Sequence, residues 1–299
     1  MKKIDEKSVD LHARFSECGK NAKEWVRRCV LMLPDIARYE VWKKKGFGSL
    51  SEYAGKVAGL SRRQVEEGMR VLKKVEDKPA LRAVIEKKGL NSVRPVAVVA
   101  TVETEEFWAE KASDMSVNEL VTYVRDFRNQ SNGSGVCNVT DSSSEKVTKI
   151  ITMDLDPQTA QQLEKLKGDG TWEEAMKKLL QVREQELERL KPDPIETESR
   201  SVPKQIEGFV LEKYNSRCAF PGCNRKYKEL HHVQGFSLEK VHDPDKIVPL
   251  CLAHHKISHK GLIENEELPT YMWKVREKPD QASPRFGIDR LVQQKTTPF

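Results

Sequence analysis

The sequence predicts a mostly α-helical N-terminal region, a central strand–helix–helix segment and an α+β C-terminal module. Three observations support this division. Helix-start signatures recur along the chain, a β-prone run opens the central segment, and histidines and cysteines concentrate towards the C-terminal end. The predicted boundaries are 1–128 for the helical region, 129–145 for a flexible linker, 146–190 for the central segment, 191–204 for a second linker, 205–278 for the C-terminal module and 279–299 for a tail.

Composition favours a protein of the cytoplasm. A third of the 299 residues are charged (33%), and the 37% hydrophobic content is enough for several small cores. No run approaches the 18 apolar residues of a membrane span, and no apolar stretch follows the first lysines as in a secretory signal. Six unevenly spaced cysteines fit a reducing compartment, in which close Cys/His sets bind metal. We therefore expect no membrane partner.

The net charge of +6 is unevenly distributed. Residues 1–128 carry 26 basic against 20 acidic side chains (+6), residues 129–203 carry 10 against 14 (−4), and residues 204–299 carry 16 against 12 (+4). Two basic ends around an acidic middle favour nucleic acid as a partner. Solvated helix faces give similar totals, so charge alone is weak support.

Helix starts are marked by Ser or Thr followed three residues later by Glu or Gln, a pattern in which two side chains satisfy free backbone N–H groups. The four examples are Ser49–Glu52, Ser61–Gln64, Ser116–Glu119 and Thr171–Glu174. An earlier run of helical periodicity around Trp25 and Cys29 is expected to be interrupted by Pro34.

The central segment begins with the β-prone run 147–153 and continues with a helix over about 157–167. Gly168–Asp169–Gly170 breaks that helix, and a second one starts at Thr171. The order resembles a ribbon-helix-helix unit, which completes its sheet with a second chain. A homodimer is therefore one expectation, and a simple spacer is the other.

Six of the seven histidines and three of the six cysteines lie between Cys218 and His259. They form two interleaved sets. The first set has two close pairs of soft ligands, a spacing that suits tetrahedral Zn²⁺, and Pro221–Gly222 supplies the turn inside the first pair. The predicted ligands of this structural zinc are Cys218, Cys223, Cys251 and His254. Because so small a module buries little apolar surface, we expect zinc to supply much of its stability.

The second set contains four histidines. His255 and His259 are four residues apart, so on a helix they share one face and can hold one ion. His231 and His232 are neighbours in a predicted strand, so they point to opposite sides and are expected to have different roles.

This stretch resembles the HNH (ββα-metal) endonuclease family over about residues 205–275. The shared features are the HH pair and the final C-x2-H-H-x3-H. The resemblance implies DNA cleavage that leaves 5′-phosphate and 3′-hydroxyl ends, with no small-molecule substrate. It also implies that His232 is the general base and that Mg²⁺ or another divalent ion is held by His231, His255 and His259.

One position departs from the family pattern. The central Asn of the family falls on Lys246, which has only donors and a positive charge. We expect Asp243 or Asp245 to accept the backbone hydrogen bonds instead, while Lys246 faces a DNA phosphate. The nearby His242 is predicted to be a surface loop residue.

A second resemblance lies in GFGSLSEYAGKVAGLSRRQVEEGMRVLKKV, which is similar to a ParB-like helix-turn-helix. It implies a first helix over 50–57, a turn over 58–60 and a recognition helix over 61–74. The recognition helix would place Arg62, Arg63 and Gln64 against DNA. An ordinary helical hairpin with basic exposed residues is the alternative.

The sequence thus favours a DNA endonuclease. The alternatives are a catalytically weak or inactive zinc-stabilised DNA-binding regulator and a nuclease that acts on RNA. The four histidines of the second set favour an enzyme, because a pure binding module needs only the structural zinc.

Overall fold

The structure is a computed structural model that describes residues 6–131 and 152–281, and these fall into two compact units that divide between Arg125 and Asp126. The first unit is built from helices: α1 (Glu6–Arg38), α2 (Val41–Lys44), α3 (Leu50–Ala58), α4 (Arg62–Lys74), α5 (Pro79–Lys88), α6 (Leu90–Val93), α7 (Glu105–Asp114) and most of α8 (Val117–Ser131). The mostly helical N-terminal region is therefore confirmed.

The second unit mixes helices with three short antiparallel strand pairs. Its elements are α9 (Pro157–Lys167), α10 (Trp172–Leu190), β1 (Ile195–Glu196), α11 (Lys204–Lys213), β2 (Glu229–His232), α12 (Phe236–Glu239), β3 (Val241–His242), β4 (Ile247–Leu250), α13 (Leu252–His259), β5 (Ile263–Glu264), the 3₁₀ turn Thr270–Met272 and β6 (Lys274–Val275). In the part of the chain that the structure describes, no helix is both long enough and apolar enough to cross a membrane.

The four predicted helix starts are confirmed, each with its hydroxyl accepting the expected backbone N–H. At Ser61 and at Thr171 the capping box is reciprocal. The connection between α3 and α4 contains Gly59, whose positive φ of 67° suits glycine and ends α3. These bounds agree with the predicted helix pair, while its DNA-binding role stays a prediction.

The expected break at Pro34 is wrong. Helix α1 runs through Pro34 and ends at Arg38. Proline removes one backbone hydrogen bond from α1. Packing of α1 against α4 stabilises the helix despite this loss. Val30 and Leu33 are buried there, and a Cβ on Gly68 of α4 would lie 3.1 Å from the Val30 side chain. The close approach of the two helices outweighs the local penalty of the proline.

The central segment has its two helices where the sequence predicts them, at α9 and α10. The predicted linker 129–145 begins as helix, because α8 continues to Ser131, and the rest of it lies outside the described residues. Most of the predicted strand 147–153 also lies outside them, and Thr152 and Met153 have no regular structure. Dimerisation through this segment stays a prediction.

The stretch 191–204, expected to be a linker, carries a strand. Strand β1 pairs with β3, with Ile195 opposite His242. Ile195 and Val202 pack against a small core formed by Ile206, Val210 and Ile247. Apolar contacts of these two side chains therefore hold the segment against the C-terminal module.

Strand β5 pairs with β6 in a short antiparallel hairpin, and the 3₁₀ turn Thr270–Met272 lies in the loop between the two strands. Trp273 is almost fully buried, and its indole N–H donates to the carbonyl of Leu268 at 2.9 Å. This bond closes the loop that carries Glu266.

Candidate metal centres and their surroundings

Strands β2 and β4 and helix α13 position the predicted site residues. The two strands are antiparallel, with His231 opposite Val248 and His232 opposite Ile247. Helix α13 begins directly after β4 and packs on both strands. The apolar residues of β4 are all buried, which fixes the register of the pair and hence the direction of each histidine.

The first predicted ligand set is assembled. One ligand atom from each residue lies within 4.8 Å of all the others, and all four residues are buried: Cys218, Cys223, Cys251 and His254. Three sulfurs and one imidazole nitrogen match the donors of tetrahedral structural zinc sites. These four residues, the cysteine–histidine cluster, can therefore hold a metal such as zinc.

The loop between the first two cysteines is a tight turn. The backbone N–H of Cys223 donates to the carbonyl of Phe220 at 3.0 Å, and Gly222 has a positive φ of 69°. Proline followed by glycine suits such a turn, as the sequence predicts. The Phe220 ring stacks on the His254 ring with centroids 4.1 Å apart, which shields the cluster on one side.

The imidazole of His254 is oriented from both ends. Its Nδ1 lies 3.1 Å from Cys218 Sγ and 3.4 Å from Cys251 Sγ. Its Nε2 lies 2.9 Å from Asp126 Oδ2, and both residues are buried. A carboxylate on the far nitrogen of a histidine ligand fixes its orientation and raises its basicity. Sequence reasoning missed Asp126, because nothing in a motif points to a partner 128 residues away.

The protonation states follow from these contacts. Burial opposes a charge on His254, but the hydrogen bonds to Asp126 and to the sulfurs raise its pKa to about 10. A hydrogen bond from Cys218 lowers the pKa of Cys251, and hydrogen bonds with Cys223 and Cys251 raise the pKa of Cys218. The side chains of the cluster therefore share protons through hydrogen bonds. A divalent cation bound there would release the protons from the ligating atoms.

The second set is assembled in part. One ring nitrogen each of His231, His255 and His259 lies within 4.8 Å of the other two. The Nε2 atoms of His255 and His259 are 3.1 Å apart, and the His231 ring lies 5.4 and 5.3 Å from their centroids. These three residues, the triple-histidine cluster, combine one buried side chain from β2 with two half-buried side chains from α13.

Two side chains that sequence reasoning missed contact the triple-histidine cluster. Ser258 Oγ lies 2.9 Å from Nε2 of His231, and the Ser258 hydroxyl donates to Glu266. If His231 Nε2 donates to the serine, a metal ligated by His231 would bind Nδ1. The serine is the residue before His259, but no motif marked it.

The neighbouring histidine has different contacts, as predicted for a strand. The His232 ring contacts Phe236 and His242. Its Nε2 lies 2.9 Å from Nδ1 of His242. Burial and the charge of His242 lower the pKa of His232 to about 4, so its imidazole is neutral at pH 7.

The expectation that His242 is a surface residue is wrong. Its side chain has no exposed surface, and its Nε2 lies 3.0 Å from the backbone carbonyl of Ser199. The pairing of β3 with β1 places it there, and a two-residue strand is too short to show a periodic pattern in the sequence.

The exposed Lys246 side chain forms an ion pair. Its Nζ pairs with the Glu239 carboxylate at 3.1 Å, while its backbone carbonyl accepts from Val233 at 2.9 Å. Asp243 accepts the backbone N–H of Asp245 at 2.9 Å, a local hydrogen bond within this loop. Asp245 instead pairs with Lys191 and Lys213.

The predicted DNA-binding residues of the first unit differ in their contacts. Arg62 is exposed and pairs with Glu66 at 2.6 Å. Gln64 accepts from the Ser61 backbone in the capping box. Arg63 borders a groove of about 730 Å³ between α1, α4 and the α5–α6 region, whose other basic residues are Lys23, Arg27, Lys88 and Arg94.

Comparison with known proteins gives no match. No protein-family model, no curated protein and no solved structure is significantly similar to this chain. The resemblance to HNH endonucleases thus has no support from relatives, and the function has to be inferred from the two clusters themselves.

Proposed function

We propose that this chain is a metal-dependent DNA endonuclease of the HNH type, with its reaction centre at the triple-histidine cluster. The convergence of His231, His255 and His259 within 4.8 Å carries the proposal. A metal in the cysteine–histidine cluster would supply the stabilisation that a small module needs for folding. A second ligand set with only imidazole donors, formed by a strand and a helix, is better explained by metal-assisted hydrolysis.

The donor set indicates which ions fit. Imidazole nitrogen suits Zn²⁺ and Ni²⁺ better than Mg²⁺, which prefers oxygen ligands. A divalent ion bound there would neutralise the charge that develops on the scissile phosphate. The contact of Ser258 and Glu266 with His231 supports this role, because hydrogen bonds from neighbouring side chains hold a metal ligand in position.

His232 is the proposed general base. It is half-buried on β2, next to His231 in the chain, and is neutral at pH 7. A neutral imidazole can accept a proton from the attacking water, which in-line hydrolysis of a phosphodiester requires. Help from a general base typically contributes about 10²–10⁴-fold in rate.

DNA is the proposed substrate because of the basic groove of the first unit. Five cationic side chains border it (Lys23, Arg27, Arg63, Lys88 and Arg94), against one acidic side chain, Glu67. Such an excess of positive charge favours contact with a phosphate backbone. The groove includes the start of α4, the helix proposed to read base edges.

Plasmid cleavage tests the proposal. Protein with zinc in the cysteine–histidine cluster is incubated with supercoiled plasmid in Mn²⁺, Ni²⁺, Co²⁺ or Mg²⁺, and in parallel with a chelator under conditions in which metal analysis shows that the zinc is retained. We expect cleavage with at least one ion, none with the chelator, and a loss in His255→Ala. His12→Ala is the control, since His12 lies on the exposed part of α1.

The opposite result is equally clear. If the wild type binds plasmid but cuts it with none of these ions, and His255→Ala binds equally well, the endonuclease proposal is wrong. The chain would then be a zinc-stabilised DNA-binding regulator. Cleavage that His255→Ala retains in full would place the reaction elsewhere.

A further inference from the structure

Helix α1 carries a stripe of side chains with the spacing of a coiled coil. The positions follow one another in alternating steps of three and four residues, as at the contact face of helices that wind around each other. Leu11 precedes the stripe by four residues and continues the same spacing. The six residues of this α1 stripe are Phe15, Cys18, Ala22, Trp25, Cys29 and Met32.

The α1 stripe is exposed although its side chains are apolar. Phe15 and Trp25 are 81% and 62% exposed, and Met32 is also mostly exposed. The buried residues Val30 and Leu33 lie on another face of the helix and pack against α4. The packing of α1 within its own unit therefore leaves the stripe open, and an apolar surface of this kind marks an interaction site.

The N-terminal half of α1 has few contacts that stabilise it as a helix. Within the described part of the chain, none of residues 9–26 is buried. Helices in proteins are stabilised mainly by packing of an apolar face, and Gly19 lowers the helix propensity of this stretch. A second helix that covers the stripe would supply the packing.

Side-chain volumes favour a second copy of α1 that runs antiparallel. If two copies cross between residues 23 and 24, the large Trp25 of each lies opposite the small Ala22 of the other. Large side chains opposite small ones fill a helix interface without voids or overlap. A parallel pair would instead place Trp25 against Trp25 and Ala22 against Ala22. In the antiparallel register the remaining layers pair Phe15 with Met32 and Cys18 with Cys29.

The charges beside the stripe agree with the same register. Arg14 of one copy would lie next to Asp35 of the other, and each of them has an ion pair within α1 at only 3.9 Å. A shift of the register by one heptad would bring Arg14 next to Arg28 instead. Repulsion between like charges disfavours that alternative, while the exposed pair of opposite charges adds little affinity by itself.

The exposed rings supply a large share of the area that a dimer needs. An aromatic side chain buries about 150–250 Å² when it is covered, so the exposed parts of Phe15 and Trp25 in two copies amount to about 400–700 Å². This is about a third of a standard interface, which buries about 1,200–2,000 Å². The other stripe positions and the residues beside them would add to it.

We propose that α1 mediates a homodimer in which the α1 stripes of two copies pack against each other in antiparallel orientation. The proposal goes beyond the endonuclease function and does not depend on it. It also differs from the predicted dimerisation of the central segment, because α9 and α10 take no part in it.

Sedimentation equilibrium of the full chain tests the dimer. We expect the wild type to be dimeric at about 100 µM, above the micromolar dissociation constants of weak interfaces. Phe15→Glu places a charge in the stripe and should weaken association at least about 10-fold. Ala13→Glu is the matched control, because it adds the same charge to an exposed position of α1 on the opposite face and should dimerise as the wild type does.

A second variant separates α1 from the central segment. Leu180 is exposed on α10, and Leu180→Glu should leave the dimer unchanged. A wild type that is monomeric at this concentration would overturn the proposal. So would a dimer that Leu180→Glu weakens and Phe15→Glu does not.

Cross-linking of the native cysteines tests the orientation. Cys18 and Cys29 are 11 residues apart, about 16 Å along a helix, so an ethane-bridged bismaleimide is too short to join them within one chain. In the cross-linked dimer, mass spectrometry of the digested protein should find Cys18 joined to Cys29. Cys18 joined to Cys18, or Cys29 to Cys29, would overturn the antiparallel register, as would a dimer without any link between these cysteines.

Discussion

The Asp126 carboxylate and the His254 imidazole are hydrogen bonded, with Oδ2 and Nε2 2.9 Å apart, although 128 positions separate the residues in the chain. His254 has no exposed surface and Asp126 is 4% exposed. The bond leaves His254 Nδ1 directed at the sulfurs of the cysteine–histidine cluster. Asp126 therefore contributes a supporting carboxylate to a candidate metal site formed by residues 218–254.

Replacing Asp126 by Asn should weaken zinc binding about 10- to 100-fold, because the amide accepts the same hydrogen bond without the charge that raises the basicity of His254. Competition with a chromophoric chelator measures the affinity. Asp193→Asn is the matched control, since Asp193 is exposed. An unchanged affinity in Asp126→Asn would mean that the carboxylate has no influence on the metal.

The Cys218→Ser variant should lose the predicted zinc and unfold the C-terminal module, because Cys218 is one of the four expected ligands and metal binding would supply folding free energy there. Metal analysis should give about one tightly held zinc per wild-type chain, and circular dichroism should follow the unfolding. Cys18→Ser changes an exposed cysteine and should leave both unchanged. Folded wild-type protein without any zinc would refute the assignment.

The two proposed classes of histidine should respond differently to excess metal. His232→Ala should keep the fold and DNA binding but lose at least about 10²-fold in cleavage, since only proton transfer is removed. His259→Ala should lose cleavage through a weaker metal site, so excess Mn²⁺ should restore part of its rate and none of the rate of His232→Ala. Titration of cleavage against metal concentration makes the comparison, and equal rescue of both variants would contradict the roles.

Arg63→Ala should weaken duplex binding more than Arg62→Ala does. Arg63 borders the basic groove, whereas Arg62 already pairs with Glu66 at 2.6 Å. The binding constant K falls as the salt concentration rises. Loss of one phosphate contact should make the plot of log K against log salt concentration less steep, by about 1 in the magnitude of its slope. Fluorescence anisotropy at several salt concentrations measures this, with the exposed Arg14→Ala as control. Identical slopes for all three variants would remove the groove from the DNA-binding surface.

Lys246→Asn should leave cleavage equal to or higher than in the wild type. The change restores the residue of the HNH pattern and removes only the exposed ion pair with Glu239, which contributes at most about 1 kcal/mol. Asp243 retains its hydrogen bond to the Asp245 backbone in either case. Rates from the plasmid assay and the midpoint of urea unfolding test this, and a clearly lower rate would show that the ammonium contacts DNA.

Local signals in the sequence were reliable, and contacts between distant segments were not visible in it. The helix starts at Ser61 and Thr171 depend on side chains three residues apart, and they were predicted correctly. The ligand spacing in the cysteine–histidine cluster is likewise a local pattern. The burial of His242 depends instead on pairing with Ile195, 47 positions earlier, and the strand within the predicted linker 191–204 was therefore not foreseen.

Pro34 shows the opposite case, in which a strong local signal gave a wrong expectation. Its effect on the α1 backbone is real, but the packing of Val30 and Leu33 near Gly68 of α4 decides the outcome. That packing depends on the absence of a side chain at position 68, which single-chain periodicity does not reveal.

Helix α13 supplies ligands to both clusters from eight residues, with His254 on one and His255 and His259 on the other. An ion in either cluster restricts the backbone of α13. The second ion then binds to a helix that is already ordered, so its binding costs less conformational entropy. Occupancy of the two centres should therefore be thermodynamically linked, and by reciprocity each ion should raise the affinity for the other by the same factor. If the first cluster holds zinc as predicted, a cell that is short of zinc would lose the proposed reaction centre together with the fold.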